Sequence, residues 1–515
     1  MPKSCGLLAR WAPLIIGFSA ANLYFLDVWK RLNAPFDAAL LIHPYHPKYP
    51  SFYLALVVLV FGLGACLALI LWLCKKIGPR TKQVAILILS IPVLNQLRLL
   101  IDDKRLSLGY FRELFQIHLP VAVILSVAGV IFLIALFRYQ KQFSTVLRSL
   151  FLILTPYLLI NTAMATYYYF YFLNSREGVD YSISKNITPE IPIKNRVLLL
   201  LFDGLDYDLA FANPPASLSF PAFKAFEQQS MSLTQAHSPA DVTLMSIGSY
   251  VTGKLPDNMS FLEDFRGQSL FSELKGEAKR SSITGFYFPY CRLFGALSDH
   301  CESHCTMGFC MLPYHASFEK NVTELFRWAF TSSRNAKTHT QKYKAIQNSV
   351  EESALKLSTQ TQYDFVFVHS LMPHYPWIND SHVMDDSLSQ TLQGYYGNVV
   401  LADQMLARIT ERLKEQGLWD KTHIIITTDH PFDYHERTAD FREWRIPFMV
   451  KFAGAHPKGQ YSKSINTIFM SGLINQMVTG KVTNPLELNR FLDEHRVDVP
   501  MRRTFAHRAD QPLIH

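Results

Sequence analysis

Up to about residue 175 this 515-residue chain is dominated by long apolar runs that no compact water-soluble fold absorbs. Five stretches, Trp11–Leu26, Phe52–Cys74, Val84–Leu97, Ile117–Phe137 and Ser149–Asn174, carry no formal charge. A helix crosses the ~30 Å hydrocarbon core of a bilayer with ~20 mostly apolar residues. The five stretches therefore predict an α-helical transmembrane domain of about five helices over residues 1–175. The third, beside Arg98 and holding Pro92, is read as a short span or a re-entrant segment. The first is followed by Asp27, Trp29 and Lys30 with no small-residue cleavage site, so it is read as an anchor rather than a removable leader.

Basic residues set the orientation. Lys3 and Arg10 precede the first span, Lys75, Lys76, Arg80 and Lys82 fill the second loop, and Arg138, Lys141 and Arg148 fill the fourth. Cytoplasmic loops carry such an excess, and an odd number of spans then exports everything after Asn174. Lys30, Arg31 and Lys48 in the first loop, with Lys104, Arg105 and Arg112 in the third, run against the trend. The expected location is the cell inner membrane, multi-pass, with a periplasmic or other extracytoplasmic catalytic domain. Much of the formal net charge of +8 sits in these loops. No Arg/Lys tract is interleaved with aromatics, which argues against a nucleic-acid partner. The segment Leu100–Gln116 suits an amphipathic surface helix or a plain connector.

Cysteine usage agrees with export. Cys291, Cys301, Cys305 and Cys310 cluster in the soluble half and predict two disulfides with three possible pairings. A zinc knot built with His300, His304 and His315 is the competing reading, but no pair has the Cys-x-x-Cys spacing.

The segment 176–195 is polar, holds Pro189 and Pro192, and reads as a linker. Beyond it, Val197–Phe202, Phe365–Val368, His423–Thr427 and Phe448–Phe452 are short runs, apolar almost throughout. Such runs suit strands buried on both faces of a parallel sheet. Helix-like stretches, notably Lys342–Leu357 and Tyr395–Gln416, alternate with them, so residues 196–515 predict an α/β domain with a mainly parallel sheet flanked by helices. The tail beyond Thr483 reads as an irregular extension.

In such sheets chemistry collects beyond the carboxyl ends of the strands. The first run ends in Asp203, the third in Thr428-Asp429-His430, and Phe365–Val368 is followed by His369 and then His374. Carboxylates and imidazoles delivered to one edge are ligands for a divalent cation, zinc or manganese. Singly, each has an ordinary reading: Asp203-Gly204 as a turn, Asp429-His430 as a cap, a histidine as a packing residue. Asp206 and Asp208 are read as helix-start residues.

The order Leu-Phe-Asp203-Gly, then Thr243 followed nine residues later by Thr252-Gly253, then Thr-Thr-Asp429-His430, resembles the alkaline phosphatase superfamily, which includes sulfatases, nucleotide phosphodiesterases and phosphoethanolamine or glycerol-phosphate transferases. Arg445-Ile-Pro447-Phe-Met-Val450 resembles the strand after that family's metal-binding Asp-His pair, and His369-Ser-Leu-Met-Pro-His374-Tyr-Pro-Trp377 resembles the transferases' phosphate-contacting segment. The resemblance spans roughly Arg196–Gly454. It implies an alkaline phosphatase-like fold, Thr243 as catalytic nucleophile, and Asp203, Thr243, Asp429 and His430 as metal ligands. His374, His369 and His435 are the implied substrate-binding residues. Five spans before an exported catalytic domain resemble the phosphoethanolamine transferases and lipoteichoic acid synthases in architecture. That implies transfer of a phospho-head group from a phospholipid donor to an envelope glycan or lipid acceptor. A metal-dependent phosphodiesterase or phosphatase, and a catalytically inactive envelope scaffold, are the alternatives. The chain departs from the pattern in two places. Asp203 stands where the transferases carry Glu, and Asp429-His430 is followed by Pro431 where Gly is usual, which removes a backbone donor. A paired Asp at the first strand and the Cys/Ser-x-Pro-Ser-Arg signature are missing, which argues against a formylglycine sulfatase.

Overall fold

The computed structural model describes residues 3–33, 49–101, 127, 131, 134, 138–174, 181–185, 195–256, 265, 267–306, 317–330, 336–379, 388–432, 444–454, 458–499 and 501. Eleven strands are described: β1 Tyr181–Ser184, β2 Arg196–Phe202, β3 Met231–Leu233, β4 Ala236–His237, β5 Ser281–Tyr287, β6 His300–Thr306, β7 Phe365–Ser370, β8 Thr422–Thr427, β9 Phe448–Lys451, β10 Gly459–Tyr461 and β11 Ile465–Asn466. Nine form one sheet in the order β1-β6-β5-β7-β2-β8-β9-β3-β10, while β11 and β4 pair separately. From β6 to β8 every pairing is parallel, and β9 then runs antiparallel to β8. The sheet is thus mainly parallel at its centre and mixed at its flanks.

The centre is parallel because its strands are covered on both faces. Alternate residues of β2 point to opposite sides: Val197, Leu199 and Leu201 join one buried cluster with Ile247, Leu473 and Leu488. Leu198, Leu200 and Phe202 join the other, with Val350, Val399 and Leu406. The helices supplying those partners include Ala336–Thr359 and Gln390–Glu415, each extending the stretch expected from sequence by a few residues at its amino end.

Three elements depart from expectation. Tyr181–Ser184, inside the stretch read as a linker, pairs antiparallel with β6 at the sheet edge. The tail beyond Thr483 is not simply irregular: Asn484 accepts from the amides of Leu486 and Glu487 and caps the helix Pro485–Glu494, which buries Leu488, Phe491 and Leu492. β6, His-Cys-Glu-Ser-His-Cys-Thr, is a strand without apolar character. A disulfide joins Cys291 to Cys301 of β6, and Cys305 is disulfide-bonded as well, which takes these sulfurs out of any zinc knot. Cys310 and His315 lie outside the described residues.

In the amino-terminal half, Pro50–Ile77 and Gln140–Leu173 are long and apolar enough to cross a membrane. Trp11–Leu23 and Leu26–Leu32, bent by 63°, make a third if the pair is one broken span. Pro79–Ile101 is helical through Pro92 but does not reach the same apolarity. The stretch Ile117–Phe137 and the segment Leu100–Gln116 lie almost wholly outside the described residues. The helix Phe318–Phe330, which follows β6 in the chain, packs against these amino-terminal helices rather than the sheet. Its Leu325, Trp328 and Ala329 share a buried cluster with Phe52, Leu56 and Val93.

Candidate active site

β7, β2 and β8 are neighbours, and their carboxyl ends bring three polar loops together. The amide of Asp203 donates to the Ser370 carbonyl at 3.1 Å, tying the end of β2 to β7. Gly204 then turns with φ +73°, a conformation that favours glycine, and its amide donates to Asp429 Oδ1 at 3.2 Å. The Leu205 amide donates to the Thr428 hydroxyl at 3.0 Å, and that hydroxyl donates to the His430 carbonyl at 2.8 Å. The loops after β2 and β8 are thereby stitched to each other.

Asp203, His369, Asp429 and His430 are all buried. His430 Nε2 lies 3.5 Å from Asp203 Oδ1 and 3.5 Å from Asp429 Oδ2. His369 Nε2 lies 3.7 Å from Asp203 Oδ2. Burial, followed by the charge of Asp429, pushes the Asp203 carboxyl well above the usual carboxylate range. Burial acts the same way on Asp429, but the imidazoles of His430 and His369 and the Thr243 hydroxyl outweigh it and hold its pKa below the ordinary value. Burial alone would lower His430; the Asp429 and Asp203 carboxylates reverse the direction and raise it. His369 is pushed down to about 4, chiefly by burial, and is a neutral base at physiological pH.

Thr243 is the first residue of the helix Thr243–Thr252 and is buried. Ser246 fixes the approach to the helix by donating its hydroxyl to the Ala240 carbonyl at 2.9 Å. At the far end Gly253, φ +67°, closes the helix. Tyr250 follows Thr243 by seven residues and so shares its face. Its hydroxyl donates to the Thr428 carbonyl at 2.8 Å, clamping the helix onto the loop that carries Asp429 and His430.

The structure brings Asp203, Thr243, Asp429 and His430 to one place, with His374 beside them: the His374 and His430 rings cross at 80° with centroids 5.8 Å apart. His374 is exposed, whereas His369 lies fully buried behind the carboxylates. His435 lies outside the described residues. Asp206 accepts from the Leu209 amide at 3.0 Å and Asp208 pairs with Arg445, so neither turns toward the cluster. In the sequence Thr428 stood out only as part of the run into Asp429-His430, and neither Tyr250 nor Tyr290 had a role. Tyr250 left a signal in its seven-residue offset from Thr243.

The donor set fits a divalent cation. Two overlapping groups, Asp203 with His374 and His430, and Asp203 with His369 and Asp429, each place one ligand atom per residue within 4.8 Å of the others. Each imidazole has its Nδ1 engaged: His430 with the Pro431 carbonyl at 2.9 Å, His374 with the Tyr375 carbonyl at 2.6 Å, and His369 with the Tyr290 hydroxyl at 2.8 Å. That leaves Nε2 as the ligating atom, the usual arrangement behind a metal-bound histidine. Asp203 Oδ1, Asp429 Oδ2 and His369 Nε2 are buried without a hydrogen-bond partner, a costly state that a cation relieves.

Residues 297–476 match the family model described as Sulfatase. That match covers a sulfatase-like stretch within the catalytic half. The matched stretch includes His369, His374, Asp429 and His430, while Asp203 and Thr243 precede it. Among solved structures, the lipoteichoic acid synthase LtaP from Listeria monocytogenes aligns at 14% identity and TM-score 0.41 over 59% of this chain and 76% of its own. An alkaline phosphatase superfamily protein from Vibrio parahaemolyticus aligns at 15% and 0.40 over 59% and 74%. The phosphonate monoester hydrolase of Agrobacterium radiobacter aligns at 15% and 0.39 over 56% and 74%. A search of curated proteins returns no match.

Proposed function

We propose that the chain is a membrane-anchored, metal-dependent transferase. It moves a phospho-head group, such as phosphoethanolamine, from a phospholipid to an envelope glycan or lipid through a phospho-threonine on Thr243. The observation that carries this reading is the placement of Thr243 at a helix amino terminus against the Asp429 carboxylate. The proposed divisions are a membrane domain over 1–175, a linker over 176–195 whose Tyr181–Ser184 strand joins the sheet edge, and an extracytoplasmic catalytic domain over 196–515.

Asp203, Asp429, His430 and Thr243 would hold the divalent ion, zinc or manganese. When bound, such an ion lowers the pKa of a hydroxyl held against it and offsets phosphoryl charge. Thr243 Oγ attacks phosphorus in line; the new Oγ–P bond forms as the bond to the lipid's glycerol oxygen breaks. The amides at the amino terminus of its helix face the phosphoryl oxygens. His374, exposed beside His430, donates to those oxygens or to the leaving alkoxide. An acceptor hydroxyl then attacks phosphorus, and the Oγ–P bond breaks to restore Thr243. His369, buried and neutral, orients the carboxylates from behind.

Membrane anchoring is supported by the seating of the helix Phe318–Phe330. Asn321 donates to Ser51 at 3.1 Å, and Gln96 donates to the Trp328 carbonyl at 3.3 Å. These contacts lie at the helix ends remote from Lys75, Lys76 and Arg80, in keeping with a multi-pass inner-membrane protein whose catalytic domain faces away from the cytoplasm. The exposure of His374 admits water, so hydrolysis is the second reading.

The test is the intact mass of the full chain incubated with a phospholipid extract and zinc or manganese, beside its Thr243→Ala variant. A head-group phosphate adduct on the wild type alone is expected, and its mass names the donor. An adduct of equal size on both proteins would move the nucleophile elsewhere. Metal binding without adduct, together with released head-group phosphate, would favour the hydrolase.

A further inference from the structure

The helix Phe318–Phe330 has three sides. At ~100° per residue, Asn321, Leu325, Trp328 and Ala329 fall on one face, and all four are buried. Phe326 and Phe330 fall on the adjoining flank and are 48% and 42% exposed, with the exposed Glu319 on the same flank in the first turn. Lys320, Glu324 and Arg327 take the opposite flank, where Arg327 donates to Glu324 at 2.9 Å. Two exposed phenylalanines on one flank, in contact with ring centroids 4.9 Å apart, present an apolar surface that water does not favour.

The helix sits at a definite level. Asn321 reaches Ser51 in the first turn of Pro50–Ile77, Gln96 near the end of Pro79–Ile101 reaches Trp328, and the Phe330 ring meets Tyr24, just past Lys3–Leu23, at 5.5 Å. These are like-sided ends of three successive helices. Phe172 stacks on Tyr53 at 5.8 Å, which brings the end of Thr155–Asn174 to the same level. That end carries the exposed aromatics Tyr167 and Phe170, and aromatic residues gather at membrane–water boundaries. Below this level the exposed apolar surface continues along Pro50–Ile77 through Leu54, Val58 and Phe61.

Resting on the reading that the amino-terminal helices span a bilayer, we infer that Phe318–Phe330 is an interfacial helix whose partner is the lipid surface itself. One face docks on the spans, the phenylalanine flank enters the boundary between head groups and acyl chains, and the charged flank faces water. Amphipathic helices with a charged side and an aromatic side lie in that plane. Because the helix belongs to the catalytic half, its seating fixes the height of the Asp203–Asp429 edge above the bilayer.

The experiment uses the full chain in phosphatidylcholine vesicles, with Phe326→Trp, Lys320→Trp and Ile70→Trp variants measured against wild type. Quenching of the added fluorescence is compared for lipids brominated near the head-group end of their chains and for iodide present on both sides. The expected result is bromolipid quenching of Phe326→Trp at least twofold above that of Lys320→Trp, with the order reversed for iodide. Iodide quenching equal in the two variants, or a Phe326→Trp signal reached by neither quencher, overturns the inference. Ile70 is an exposed residue within the Pro50–Ile77 span. If Ile70→Trp is quenched by bromolipid and Phe326→Trp is not, only the interfacial helix fails. If Ile70→Trp also escapes, the membrane-spanning reading fails with it.

Discussion

At the amino end of the central strands Arg196 and Lys451 are buried with most of their donors placed on neighbouring oxygens. Arg196 Nη1 donates to the Thr422 hydroxyl at 3.2 Å and Nη2 to the Leu357 carbonyl at 3.0 Å, leaving its Nε as the buried atom without a partner. Lys451 Nζ donates to the Trp419 and Phe452 carbonyls at 2.6 and 2.9 Å and lies over the Trp419 ring. At the carboxyl end Asp203, Asp429 and His369 are equally buried, yet each keeps an unpartnered atom aimed at the others. Burying charge is therefore not what marks a site in this sheet. The mark is burial left unsatisfied, with acceptors converging on one point, and such groups persist where a ligand completes them.

The contrast is broken most directly by the metal. Zinc or manganese in hundredfold excess over its dissociation constant should stabilise the wild type by about 3 kcal/mol, a rise in Tm on the order of 5–10 °C. The Asp429→Asn variant should show no such rise. Without metal it should melt no higher than the wild type, because the charge that His430 and His369 stabilise at Asp429 is lost. A thermal scan of both proteins with and without chelator checks this. An equal response to metal in the two would place the cation somewhere other than this edge.

Arg196→Met probes the closed end and should have a smaller effect. It strands the Leu357 carbonyl and the Thr422 hydroxyl, at a cost of about 1–3 kcal/mol, while the metal-induced shift in Tm stays as in the wild type. Loss of the metal response in this variant would mean that the two ends of the sheet are coupled, and the division drawn between them would fall.

The same contrast explains what was readable in the sequence. Val197–Phe202 and His423–Thr427 are central strands buried on both faces, so they are apolar almost without a break, and Asp203 and Asp429 stand out at their ends. β6 lies one strand in from the edge, its ladder partner β1 coming from the polar stretch before the domain. A strand there tolerates His300, Glu302 and His304 on one side, which erases the period-two signal. The helix Pro485–Glu494 hid differently. Its Leu488, Phe491 and Leu492 have the i, i+3, i+4 spacing, with Asn484 as cap and Pro485 in the first turn, but the charges between them gave the impression of a solvated tail. The burial of His369 had no signature at all. It depends on Tyr290, which arrives from a distant turn to hold Nδ1.

The finest test of the comparison is the pH dependence of the closed end. Burial pushes Lys451 down from its ordinary value to about 8, so between about pH 8 and its unfolded pKa the unfolded chain binds the extra proton and the folded chain does not. Stability then rises with pH across that window. The cost of keeping the charge buried is full below pH 8 and disappears once the unfolded lysine also loses its proton. Lys451→Met removes the titration. The Tm of the wild type minus that of the variant should therefore climb steadily from pH 8 to pH 10 and be flat from pH 6 to pH 7.5. The metal response at the opposite end should stay unchanged in the variant. A difference independent of pH throughout would mean that the carbonyl contacts of Trp419 and Phe452, and not desolvation, set the proton affinity of Lys451. The amino end would then be satisfied more completely than its burial suggests, and the contrast with the open carboxyl end would be sharper still.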